Sequence, residues 1–262
     1  MAASSYLNTA PLIWSFLYGS WQDAVNLVTD AAPARCADLL VRGEVDVALV
    51  PIIEYQRIPD VGIVPGVCVG SHSAVRSVVL VSKHDDLKNI RRVALDVSSR
   101  TSQALVKILF REFLNFEPKW ETFNPDINAM LKDNDAALII GDPAMNVLLP
   151  DVHVFDLASV WRRFTNTGFV FAMWMARAAE AANEVDFAGA RDEGLEHLEE
   201  IVSRYETEVS LSRVEMRKYL TENITFDVDT SLEQGMRLYF ELALKHGLIE
   251  KNRQLKFLKP LK

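Results

Sequence analysis

The chain has 262 residues, 49% of them apolar and 24% charged, with a net charge of −8. Against the ~150 residues of a typical domain, this length suits one large domain or two small lobes, and the composition is that of a folded globular protein rather than a disordered one. No apolar run approaches the ~20 residues of a membrane span, and an acidic balance argues against a nucleic-acid partner, whose phosphates attract a basic excess.

The first residues carry neither a charged leader nor a long apolar core, so no secretory signal is expected. A cytoplasmic protein with Cys36 and Cys68 as free thiols follows as the expectation. Ser5 to Leu12 place small polar residues between a predicted strand and a helix whose Pro11 suits the first turn. Asn8 there either caps the helix or points into a cleft at the carboxyl end of the strand, where open α/β sheets bind ligands. Val45 to Val50 read as a buried strand stopped by Pro51. Glu54, shortly after Pro51 and Ile52, is the candidate general base, its alternative being a surface residue complementing a helix dipole. Gly62, Gly66 and Gly70 stand beside apolar residues and suggest turns or close strand packing. Ser71 to Ser77 then form either a cleft floor or a turn, entering a buried strand over Val78–Val81.

Asp96-Val97-Ser98-Ser99-Arg100-Thr101-Ser102 precede a helix whose apolar positions Leu105, Ile108, Leu109 and Phe113 recur at three- and four-residue spacing. Four hydroxyls exceed what a cap needs. Amides at a helix start, with the Arg100 guanidinium, make an anion site the favoured reading. Ala136 to Ile140 form another buried strand, ending at Gly141-Asp142, where Asp142 either caps a helix or meets a ligand hydroxyl. Thr167, Gly168 and Phe169 open a further strand, running to Trp174, with a glycine that permits close backbone approach or simply a turn. The pattern predicts an α/β protein with mostly parallel sheet. The apolar strands at Val78 and Val170 suit crossings between two lobes, 1–78 with 170–262 and 79–169, hinged near Val79 and Phe169.

The last third reads as helical, with no strand. Leu195, Leu198, Val202 and Tyr205 form a stripe, Ser212 and Glu215 a capping box, and Phe226–Leu244 a helix stopped by Gly247. Lys251, Arg253, Lys256, Lys259 and Lys262 make a solvated basic tail. Histidine and cysteine spacings match no metal site, and no phosphate-binding glycine loop or serine-hydrolase elbow is present, so no metal or cofactor is expected.

Six segments, SYLNTAPL, DVALVPIIE, GSHSAVRSVVLVS, ALDVSSRTS, AALIIGDPA and TGFVFAMW, resemble in their order the chorismate dehydratase family, which opens the futalosine route to menaquinone. The likeness is dense over residues 4–176 and loose beyond. With only five residues before Tyr6, fewer than the family usually carries, the first strand is expected to be short. The resemblance implies a two-lobed type II periplasmic-binding-protein fold with a ligand cleft and a helical C-terminal segment. It also implies a cofactor-free hydro-lyase acting on chorismate, as a monomer or homodimer.

The roles it implies place Asn8 at the reacting edge, and Ser98, Ser99, Arg100, Thr101 and Ser102 on one carboxylate. Ser71, Ser77, Asp142 and the backbone near Pro51, Ile52, Thr167, Gly168 and Phe169 would hold the remainder. The proton acceptor is Glu54, Asp142 or the substrate's own carboxylate. The alternatives are a later enzyme of the same pathway on a larger nucleoside-derived substrate, a non-catalytic solute-binding protein, and a regulator's effector domain.

Overall fold

The protein is described by a computed structural model covering residues 1–147 and 149–259. Lys262, the last residue of the basic tail, lies outside the described residues. In chain order the strands are β1 (Ala2–Ser4), β2 (Val28–Asp30), β3 (Val47–Pro51), β4 (Gly62–Ser71), β5 (Val78–Ser82) and β6 (Arg92–Asp96). They continue with β7 (Lys119–Phe123), β8 (Ala136–Ile140), β9 (His153–Asp156), β10 (Phe169–Ala176) and β11 (Thr225–Asp227). The helices that matter for the site are α1 (Ala10–Tyr18), α2 (Pro33–Arg42), α3 (Glu54–Arg57), α4 (Arg100–Ile108) and α5 (Asp142–Met145).

Two sheets form. The first has strand order β11-β4-β10-β3-β1-β2, and the second β7-β6-β8-β5-β9. β3, β5 and β8 are buried at all five positions, as apolar runs covered on both faces must be. One apolar core runs from the first sheet through Val78, Leu80, Leu95 and Leu138 of the second, and a smaller cluster around Val79, Val81 and Ile139 covers the second sheet's other face.

The sheets are mixed, not mostly parallel. β1 pairs in parallel with β2 and β3, and β6 with β7 and β8. β10 runs antiparallel between β3 and β4, and β5 antiparallel between β8 and β9. Apolar content alone does not encode direction, because a strand covered on both faces reads alike in either sense.

The last third also departs from an all-helical reading. Phe226 lies in β11, on the edge of the first sheet, and Ile63 forms a parallel bridge with Phe257. The helix expected over Phe226–Leu244 starts instead at Thr230, capped by the Asp229 carboxylate accepting from the Leu232 amide, and ends at Lys245 before Gly247 with φ +65°. The Ser212–Glu215 capping box is present, and both cysteines are free and buried.

Candidate active site

A narrow cavity lies where the carboxyl ends of strands from both sheets meet. Leu49, Pro51, Val69, Phe171 and Ala172 line it from the first sheet, Val78, Ile140 and Gly141 from the second. Its polar groups come from the end of β1 (Ser4), the β1–α1 connection (Tyr6, Asn8, Thr9) and the start of α4 (Ser99, Thr101, Ser102). Its volume is about 50 Å³. On a measure in which one water needs ~10–15 Å³, that is room for a few waters.

Asn8 sits in a single 3-10 turn, Leu7–Thr9, rather than capping α1, and no side-chain cap is made at Thr9. The turn is braced from below by the Thr9 hydroxyl, 2.6 Å from the Ser4 carbonyl and 2.7 Å from that of Tyr6. The Tyr205 hydroxyl donates to the Ser5 carbonyl at 2.7 Å. From the second sheet the Asp142 carboxylate accepts the Leu7 amide at 3.0 and 3.2 Å. The Asn8 side chain lies beside the buried hydroxyl of Tyr219, which donates to Ser77 Oγ at 2.7 Å.

The start of α4 presents its hydroxyls to the cavity. Ser99, Thr101 and Ser102 are all buried, and among the described residues the Ser99 and Ser102 hydroxyls make no hydrogen bond to protein. Thr101 Oγ1 accepts the Ile53 amide at 3.3 Å. Free hydroxyl donors beside the positive end of a helix suit an anion. Ser98 turns the other way, donating its amide and hydroxyl to Asp96 Oδ1 at 2.8 and 2.6 Å. Burial raises the Asp96 pKa, and its second oxygen has no partner among the described residues. Burial, and then the Asp96 charge, push the Tyr6 phenol up to about 12, so it remains a neutral donor.

Arg100 lies outside the lining. Its guanidinium reaches Asp38 on α2 at 2.6 Å and Glu54 on α3 at 3.2 Å, tying the second sheet's helix to the first sheet. Glu54, 3% exposed, also pairs with Arg57 at 3.1 Å and does not face the cavity. Of the expected site residues the structure therefore gathers Asn8, Pro51, Ser99, Thr101 and Ser102 around one space.

Others stand behind it. The Ile52 amide is taken by the Phe171 carbonyl, Ser71 Oγ accepts the Ser73 amide, and Ser77 is fully buried beneath Tyr219. Thr167 and Gly168 are held by the Trp161 indole and by Ser231, while Phe169 packs on Trp161 and Tyr239. Tyr6, Thr9, Ser4 and Pro33 line the cavity without having been singled out. Tyr6 and Thr9 carry a signal, since they flank Asn8 in one polar segment. Tyr219, from the helical third, carries none.

The fold recurs among solved structures too distant in sequence to speak to activity. A structural-genomics protein from Archaeoglobus fulgidus superposes with a TM-score of 0.71 at 18% identity, covering 95% of this chain and 97% of that one. The periplasmic aliphatic sulphonate binding protein SsuA of Escherichia coli superposes at 0.65 with 16% identity, covering 100% and 93%. The architecture is that of the periplasmic binding proteins. Residues 1–245 match the family described as menaquinone biosynthesis. The chain belongs to that family. A relative of this menaquinone biosynthesis protein, the chorismate dehydratase of Thermus thermophilus, is 29% identical over 257 residues, covering 90% of this chain and 92% of that enzyme.

Proposed function

We propose that the chain is a chorismate dehydratase, a hydro-lyase that converts chorismate to 3-[(1-carboxyvinyl)oxy]benzoate in the cytoplasm. The observation that carries the reading is the lining itself. Serine and threonine hydroxyls at the start of α4 face the Asn8 turn across an otherwise apolar cavity, in a chain 29% identical to a chorismate dehydratase. Among the described residues, no membrane-length apolar helix is present.

The reaction removes the C3 proton and the C4 hydroxyl, which leave together as water while the ring becomes aromatic. Aromatisation drives it, so neither metal nor cofactor is required. The substrate is a dianion. Ser99, Thr101 and Ser102, with the free amides of α4, bind one carboxylate and stabilise charge that spreads onto it as the proton departs. Arg100 acts from behind, keeping α4 against α2 and α3. Asn8 orients the reacting C3–C4 edge, and the apolar walls Val69, Val78, Ile140 and Phe171 hold the ring and exclude water.

Among the described residues, the lining contains no carboxylate, imidazole or amine. A substrate carboxylate therefore takes the C3 proton in this reading, rather than Glu54. Residues 79–169 form the lobe that moves, turning against 1–78 and 170–262 near Val79 and Phe169 to admit the ligand.

The test is to incubate the purified protein with chorismate, without metal or nucleotide, and to follow products by mass spectrometry. Loss of one water with a benzoate-type absorbance is expected, and Asn8→Ala should lower kcat by about 100-fold or more. Reversible binding without consumption would make the protein a binder, as its sulphonate-binding structural neighbours are named.

A further inference from the structure

Asp142 presents an unusual contact for a carboxylate beside a substrate cavity. It does not line that cavity, although its neighbour Gly141 does. Among the described residues its carboxylate makes no ion pair, and its protein hydrogen bonds go to a single donor, the Leu7 amide, at 3.0 and 3.2 Å. That contact joins the two sheets: Leu7 follows β1 of the first, Asp142 follows β8 of the second. It lands one residue before Asn8, on the amide that opens the 3-10 turn.

The surroundings are built for this meeting. Gly141 takes φ +66° and ψ −152°, a conformation essentially reserved for glycine. A Cβ there would fall 2.6 Å from the Tyr6 ring, so the glycine lets that ring lie directly over the end of β8. Gly141 is in turn anchored to its own sheet by donating its amide to the Ser77 carbonyl at 2.8 Å. Among the described residues, the charged and titratable groups electrostatically coupled to Asp142 are the Glu208 carboxylate and the phenols of Tyr6, Tyr205 and Tyr219. None is a cation. What holds the carboxylate in place is the Leu7 amide, and what it holds is the Asn8 turn.

We propose that Asp142 is a positioning residue, which by accepting the Leu7 amide seats Asn8 against the substrate when the two sheets close, and which takes no proton from it. The inference rests on Asn8 being the residue at the reacting edge. Closing the cavity and completing the site are then one event. With the sheets apart the Leu7 amide loses its acceptor and the Asn8 turn is braced only by Thr9 and Tyr205.

The experiment compares the wild-type chain with Asp142→Asn and Asp142→Ala in two measurements. The first is steady-state turnover of chorismate. The second is hydrogen exchange at the Leu7 amide with the reaction product 3-[(1-carboxyvinyl)oxy]benzoate saturating, so that the sheets are closed, and with the Val79 and Leu138 amides as the folding control. Asparagine keeps an oxygen acceptor and loses the base, whereas alanine loses both.

Positioning predicts that D142A loses about 100-fold in kcat, the scale of a misplaced catalytic group, and exchanges Leu7 about tenfold faster or more. It predicts that D142N recovers kcat to within about tenfold of wild type and keeps Leu7 protected. A D142N variant with Leu7 protected and kcat as low as that of D142A would overturn the proposal and make the charge or basicity of Asp142 essential. Equal Leu7 exchange in all three proteins would overturn it as well. If D142A does not fold, D142N alone decides by the same criteria. If the wild-type chain leaves chorismate unchanged, the dehydratase reading fails, and the exchange measurement still judges the contact.

Discussion

Replacing Arg100 by alanine removes one of two guanidinium groups from Glu54, a carboxylate only 3% exposed. The Asp38 arm contributes little, because Asp38 is 41% exposed and such pairs are worth ~0–1 kcal/mol. The Glu54 arm is the costly one. Stripping a partner from a buried charge costs ~3–5 kcal/mol, reduced here because Arg57 remains at 3.1 Å. A net loss of about 2–3 kcal/mol follows, which for a chain of this size lowers Tm by ~5–10 °C. Glu54→Gln needs no cation, so the double variant should lose about 1–2 kcal/mol less than the sum of the single losses. Thermal and urea unfolding of the four proteins measure this cycle. An R100A variant melting within about 1 °C of wild type, yet with KM for chorismate raised tenfold or more, would refute the reasoning and put the guanidinium on the substrate.

Two further outcomes follow from the contact between the sheets. Burial first, and the Glu208 charge, raise the Asp142 pKa from 3.8 to about 7, with the Leu7 amide opposing. A pKa raised on folding gives stability that is fully present below the unfolded value and is lost as pH rises through the folded one. Between about pH 5 and about pH 8 the wild type should therefore lose up to ~3 kcal/mol relative to D142N, and melting curves that stay parallel across that range would exclude it. Gly141→Ala forces a side chain into φ +66° and against the Tyr6 ring, and should cost ~1–3 kcal/mol in stability along with most of the turnover. An unchanged Tm and kcat would show that Tyr6 gives way freely.

Much of the architecture was legible in the chain itself. Runs such as Val78–Val81 and Ala136–Ile140 become buried strands because they are too short for a typical helix, are rich in β-branched or other apolar residues and, as at Gly141-Asp142, stop at turn chemistry. The helix from Arg100, continuing through a π-helical stretch to Leu114, and the Ser212 capping box follow from local spacing and local hydrogen bonds. The small polar residues around Asn8 and Ser99 marked one cavity because strand ends and helix starts leave backbone groups for a ligand.

Direction, partners and orientation lay beyond the sequence. Whether β10 runs antiparallel between β3 and β4 depends on how the chain crosses between sheets, which residue composition does not record. β11 exists because β4 offered an edge, not because Thr225–Asp227 is a strong strand former. Arg100 looked like an anion grip from its neighbours along the chain. Its partners, Asp38 and Glu54, are 62 and 46 residues away, and a charge turns to the nearest counter-charges that folding brings to it. The same holds for Asp142, whose acceptor role was set by an amide 135 residues earlier in the chain. Local sequence determined which residues gather at the strand ends and helix starts; only tertiary packing decided which of them face the cavity and which hold the two sheets together.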